Sequence, residues 1–347
     1  MNIKDILVIN PGSTSTKLAV FTDGGSRIAF ETNIVHAEEE INGFPNIGAQ
    51  RGYRTETVMD FLRSNHYDME NLSAVVGRGG MAPELNGGGY LVNEKLCERM
   101  ASPDIPQHAS SLGAMIAYEI ANPLGLPAYI YDSTMGYELL DIAKITGIAE
   151  VERHGAIHLL NSRAQAIRYY KEAGADYRDK QFIVCHMGGG ITASAWQGGK
   201  VIDVSSYDDG PMAPERSGGI PLLLFKQLCF DGKHTEADIE KLISGRGGLY
   251  SYLGTKDCRE VERMIADGDD YAKTVYEGMA LQIAKAIAGI SCTLKGQVDV
   301  IILTGGIAHS KMLTGMIQDY CQHIAPIQVL AGESELEALA GGAVRMM

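Results

Sequence analysis

Four residues near the start of the chain could together grip an anion. In ILVINPGSTSTKLAVF (6–21), Asn10, Ser13, Ser15 and Lys17 bring amide, hydroxyl and ammonium donors beside Gly12. Small residues and glycine let backbone N–H groups approach a phosphate without a Cβ in the way. The order is not that of a P-loop, which needs Gly-x-x-x-x-Gly-Lys-Ser/Thr opening a helix. Here the following residues alternate like a strand, so several of the four donors share one face of a hairpin. Lys17 also fits an ordinary surface strand residue.

The same pattern returns in the second half. The segment 5–28 is echoed by 181–202, QFIVCHMGGGITASAWQGGKVI. Each gives an apolar strand ending in a polar residue (Asn10 or His186), a glycine-bearing turn, a second strand, a Gly-Gly pair and a third strand. Gly24-Gly25 and Gly198-Gly199 are strong hairpin signals. The repeat predicts a duplicated domain with one phosphate-gripping hairpin in each copy. The second turn offers His186, Gly188, Gly189 and Gly190.

The elements that must carry these turns read as α/β layers. Strand-length apolar runs fall at 6–9, 18–21, 74–76, 128–131, 182–185, 201–204 and 298–303. Helical periodicity appears at 108–121, at 157–167 following Gly155, at 274–294 and at 335–345. A length of 347 residues suggests two domains. The echo sets them at 1–132 plus 334–347 and at 133–333. A net charge of −13 argues against nucleic acid or an anionic membrane as partner. Six scattered cysteines without metal spacing fit a reducing compartment, and no apolar segment has membrane-spanning length, so a cytoplasmic protein is expected.

The stretch INPGSTSTK resembles the opening signature of the acetate kinase family, in its butyrate kinase branch. The likeness continues through VVGRGG (75–80), DIPQHASSLGA (104–114), IYDSTM (130–135), ERHGAIH (152–158), VCHMGGGITAS (184–194), GPMAPERSGGIP (210–221) and IILTGGIAHS (301–310). The resemblance implies two duplicated actin-like ATPase (ribonuclease H-like) domains with a nucleotide cleft between them. It implies reversible phosphoryl transfer between ATP/ADP and a short-chain carboxylate or acyl phosphate, aided by Mg2+, in a homodimer or higher homo-oligomer.

Such chemistry brings two anions together, which favours arginines that can fork onto carboxylate and phosphate oxygens. Arg78 and Arg216 match the family's two substrate arginines. His154 matches the residue that hydrogen-bonds the transferring phosphoryl group. His158, four residues on, could form an i, i+4 pair with it, but without H-E-x-x-H or a third ligand it reads as a helix-packing histidine. His108 stands beside the substrate by resemblance, or serves as a neighbour of a helix N-terminus. Asp132 matches the family's magnesium aspartate, with Glu333 chosen over Glu335 as its companion. Asp257, with Arg259 beside it, and the Gly305-Gly306 turn match the adenosine site. Acetate kinases carry an asparagine within the second phosphate turn; glycine here leaves more to backbone donors.

Gly79 and Gly80 replace bulkier apolar residues of acetate kinases, which predicts room for an acyl tail and a preference for butyrate. Isobutyrate, propionate and acetate remain alternatives, as do a sugar kinase and a non-catalytic actin-like scaffold.

Overall fold

The computed structural model describes residues 5–347. The chain divides into two compact units, Met1–Gly136 with Ser334–Met347, and Tyr137–Glu333. Each is built on one mixed sheet.

In the first unit, β1 (Asp5–Pro11), β2 (Ser15–Thr22) and β3 (Arg27–Val35) form an antiparallel meander. β4 (Leu72–Arg78) and β6 (Ala128–Tyr131) extend it in parallel, and β5 (Gly89–Leu91) closes the edge, giving the order β3-β2-β1-β4-β6-β5. The interior strands are buried on both faces, which is why Leu7, Ile9, Val20 and Val75 read as continuous apolar runs. The helix Leu112–Ala121 lies so close to β4 that a Cβ on Gly77 would sit 2.1 Å from the Gly113 carbonyl oxygen. Only glycine at both positions permits that approach, and it fixes the end of the strand that bears Arg78.

In the second unit, β7 (Gln181–Met187), β8 (Ile191–Gln197) and β9 (Lys200–Ser205) repeat the meander, and β10 (Val300–Gly305) and β11 (Ile327–Ala331) repeat the parallel extension. The order β11-β10-β7-β8-β9 is that of the first unit without its edge strand. The helix Asp270–Ser291 packs Tyr276, Met279, Ile283 and Ile287 into a core shared with Ile183, Cys185 and Ala193. Among the described residues no helix is long and apolar enough to cross a membrane.

Two expected helices start late. The segment from His108 forms a 3-10 turn, Ala109–Ser111, before the α-helix begins at Leu112. The helix expected after Gly155 begins only at Leu159 and runs to Glu172. Gly155 and Ile157 are buried without being helical, so their apolar spacing imitated a helix face.

Candidate active site

In the first unit the β1–β2 ladder sets Asn10 directly opposite Lys17. Opposed residues share a face, and Ser15, two positions before Lys17, shares it too. Thr16 points to the other face and is buried. Ser13 lies exposed in the turn.

Asn10 meets the end of β4 through a third residue. Its Nδ2 donates to Glu335 Oε2 at 2.6 Å, while Arg78 Nη1 donates to Glu335 Oε1 at 2.8 Å and lies 3.4 Å from Asn10 Oδ1. Glu335 begins the helix Glu335–Met346, which returns to this unit from the far end of the chain. Arg78 Nε is buried without a hydrogen-bond partner. A buried donor left unpaired is costly unless something supplies an acceptor.

Asp132, one residue beyond β6, is 1% exposed and has φ +47, a left-handed conformation rare outside glycine. Its Oδ1 accepts from Gly88 N–H at 2.8 Å, and its own N–H donates to the Gly88 carbonyl at 2.9 Å.

In the second unit the β7–β8 turn places His186 against two neighbours. Asn161 Nδ2 lies 3.0 Å from His186 Nδ1, and the His158 ring stacks on His186 with centroids 3.9 Å apart. An amide donor at Nδ1 assigns the imidazole hydrogen to Nε2. That Nε2 is buried, has no hydrogen-bond partner and lies 3.5 Å from Glu333 Oε1. Arg216 lies over the same turn: a Cβ on Gly190 would fall 2.4 Å from its Nη1. Its guanidinium packs 5.2 Å from the Tyr207 ring centroid. Its Nε is also buried and unpartnered, and among the described residues no carboxylate pairs with it.

A cavity of about 880 Å³ opens beside this turn. Gly188, Gly189, Asp257, Arg259, Gly306 and Glu333 all line it, so the phosphate turn and both expected adenosine motifs meet in one place. Asp257 caps the helix Cys258–Ala266 and pairs with Arg259 at 2.7 Å. The hydrogen bond from the Arg259 side chain, then that from its backbone, holds the Asp257 carboxyl at about 2. Glu262 on the same helix accepts from the hydroxyls of Ser310 and Tyr276.

A family profile described as Acetokinase family matches residues 128–331. A probable butyrate kinase from Listeria monocytogenes serotype 4a (strain HCC23) is 41% identical over 345 residues, covering 99% of this chain and 97% of that protein. The chain belongs to the acetokinase family. The solved acetate kinase of Porphyromonas gingivalis superposes with a TM-score of 0.82 at 17% identity, covering 99% of each chain. A propionate kinase from Francisella tularensis subsp. tularensis SCHU S4 gives 0.77 at 19% identity, covering 98% of this chain and 99% of that one. These likenesses show a shared two-domain α/β fold.

Against this acetokinase frame, three expectations need correction. Gly79 and Gly80 do not open a tail pocket in the first unit. A Cβ on Gly79 would lie 2.5 Å from the Ser133 backbone nitrogen, and one on Gly80 would lie 2.6 Å from Met100 Sδ. Their missing side chains are replaced by close packing, and Gly80 further needs its φ of +71. Second, His154 and His158 do not share a helix face. His154 is exposed in an irregular segment, tied down by the ion pairs of Arg153 with Asp203 on β9 and with Asp209 in the turn after it. Third, His158 packs from outside the helix and not from one of its faces: it precedes Leu159, stacks on His186 and lies 3.1 Å from Thr192 Oγ1.

His108 caps its 3-10 turn, with Nδ1 accepting from Ser110 N–H. Glu333 and Glu335 fall in different units, Glu333 lining the cavity and Glu335 pairing with Arg78. Gly305 N–H and C=O bond Gly332, anchoring the Gly305-Gly306 turn to the end of β11.

Proposed function

We propose that this acetokinase-family chain transfers the γ-phosphoryl group of ATP reversibly to a short-chain carboxylate, with butyrate as the preferred acid. The observation that carries the reading is a pair of arginines, Arg78 and Arg216, each beside a glycine-bearing turn and each holding a buried Nε with no acceptor. Phosphoryl transfer asks a protein mainly for positioned donors around spreading negative charge. The acid is assigned from the kinship with the Listeria protein, since the glycines after Arg78 supply no room of their own.

In this reading the carboxylate oxygen forms a bond to the γ-phosphorus while the bond to the bridging oxygen of ADP breaks. A carboxylate is already ionised at neutral pH, so no general base is needed. Arg78 and His108 orient the acid, and Arg216 and His154 donate to the phosphoryl oxygens. Asn10, Ser13, Ser15 and Lys17 on one unit, and His186 with Gly188–Gly190 on the other, steady the phosphate groups. The purine lies in the cavity against Gly305-Gly306, near Asp257 and Arg259. A cavity of this size is ordinary for a ligand of nucleotide dimensions.

Magnesium belongs to the same proposal. No group of three or more His, Cys, Asp or Glu gathers among the described residues. Mg2+ needs only one or two carboxylates and takes its remaining oxygens from water and phosphate. Asp132 and Glu333 are the carboxylates proposed to serve it. When bound, the ion neutralises charge on the nucleotide phosphates.

A hydroxylamine trap tests the reading: the chain is incubated with ATP, Mg2+ and each straight or branched acid of two to six carbons. Hydroxamate is expected to form fastest with butyrate. No hydroxamate with any acid, alongside phosphorylation of a sugar, would replace this reading with that of a hydroxyl kinase.

A further inference from the structure

Beneath the first phosphate turn lies a residue that belongs to no motif. Arg54, on the helix Arg51–Ser64, has no exposed surface at all. Its guanidinium is nonetheless fully employed. Nη1 donates to the carbonyls of Gly12 (2.8 Å) and Ser15 (3.0 Å) and to Thr16 Oγ1 (3.2 Å). Nη2 donates to the Ser13 carbonyl at 2.9 Å, and Nε to Gln50 Oε1 at 3.0 Å. All its partners are neutral. A buried cation without a carboxylate is costly, so the oriented carbonyls of the turn must compensate it.

The consequence follows from peptide geometry. In a trans peptide, the carbonyl of one residue and the N–H of the next point in opposite directions across one plane. The structure contains no cis peptide bond among its described residues. Turning the Gly12 and Ser13 carbonyls inward to Arg54 therefore turns the Ser13 and Thr14 N–H groups outward. Both residues are exposed, and neither N–H is bonded within the described chain. Two adjacent outward amides above a buried positive charge make an anion-binding concavity.

We propose that Arg54 is a positioning residue for phosphoryl transfer: its buried fork holds the Gly12, Ser13 and Ser15 carbonyls so that the Ser13 and Thr14 amides face a bound phosphate. The inference rests on the phosphotransferase reading above. Arg54 touches no substrate; it acts through the turn. Lysine cannot replace it, because an ammonium is a point donor on a flexible stem and cannot hold several carbonyls in a fixed plane.

Two measurements test this. Arg54→Lys and Arg54→Met are assayed for acyl phosphate formation, with melting and circular dichroism reporting the folded fraction. Misplaced phosphate donors should lower kcat per folded molecule by ~100-fold in Arg54→Lys, while KM for the carboxylate moves far less. A kcat per folded molecule unchanged in Arg54→Lys would overturn the proposal. Should both variants fail to fold, the unaltered protein decides the matter through amide NMR during titration with inorganic phosphate. The Ser13 and Thr14 resonances are expected to shift, and unmoved resonances at saturating phosphate would overturn it. The phosphate titration does not depend on kinase turnover, so an unaltered protein inactive with every acid would remove the phosphotransferase reading separately.

Discussion

Glu335 Oε1 lies 2.8 Å from Arg78 Nη1, joining the first residue of the final helix to the last residue of β4. Both side chains are mostly buried, so the pair is weakly screened. It leaves Arg78 Nε without an acceptor, whereas Arg216 in the other unit has no counter-ion among the described residues. The two arginines are thus held differently, one by a carboxylate and one over a glycine turn.

Removing either arginine should abolish most turnover without unfolding the chain. Arg78→Ala and Arg216→Ala each delete a charge-assisted donor, and one such donor typically accounts for ~2.7–4 kcal/mol of barrier, or about 10²–10³ in rate. Arg216→Ala should cost less stability, since no ion pair is broken. Steady-state kinetics with thermal melts of both variants checks this. Near-normal rates in either would remove that arginine from the proposed site.

Asp132→Asn separates charge from structure. Asparagine tolerates the left-handed φ of +47 and keeps an oxygen to accept from Gly88 N–H. The melting temperature should therefore hold, while turnover demands more Mg2+ and reaches a lower maximum. A magnesium titration with an unchanged midpoint and maximum would leave Asp132 with a purely structural role.

Gly80→Ala should destabilise the chain and leave acid preference alone. A left-handed backbone costs a Cβ-bearing residue roughly 1–2 kcal/mol, and overpacking against Met100 adds about 1–3 kcal/mol. Urea unfolding measures the loss. A changed butyrate-to-acetate ratio of kcat/KM would instead restore Gly80 to the acyl pocket.

Acid should weaken the first unit through His36. Its Nε2 meets Thr16 Oγ1 at 2.8 Å and its Nδ1 meets Tyr53 Oη at 3.2 Å, while Tyr53 Oη donates to Glu40. Burial, followed by the nearby Arg54 charge, holds the imidazole below its usual 6.5, with Glu40 opposing. A depressed folded-state value means the unfolded chain binds the proton more readily. The stability contributed by neutral His36 is complete above about pH 6.5 and is lost as pH falls through the lower folded value. Melting temperature against pH should show this decline, and His36→Asn should flatten it. An identical slope in the variant would acquit His36.

Much of the scaffold was legible because its signals are local. Gly24-Gly25 and Gly198-Gly199 have positive φ and join β2 to β3 and β8 to β9, as hairpin pairs require. The apolar runs became strands because the interior strands of both sheets are buried on both faces. Non-local facts were not legible. Arg54 sits in RGYRTET, a stretch with no motif, and only the fold brings Gly12–Ser15 against it. Nor does local acidity tell Glu333 from Glu335, which belong to different units, Glu333 lining the cavity and Glu335 pairing with Arg78. His154 and His158 misled because buried residues around an irregular segment reproduced helical spacing.

Phosphoryl transfer can be followed in reverse, by phosphorus NMR of butyryl phosphate and ADP with Mg2+ and the intact chain. The γ-phosphorus signal of ATP is expected to rise as butyryl phosphate falls, in equal amounts, and Arg216→Ala is expected to suppress the exchange. Butyryl phosphate that persists, or that yields only inorganic phosphate with no ATP, would contradict it.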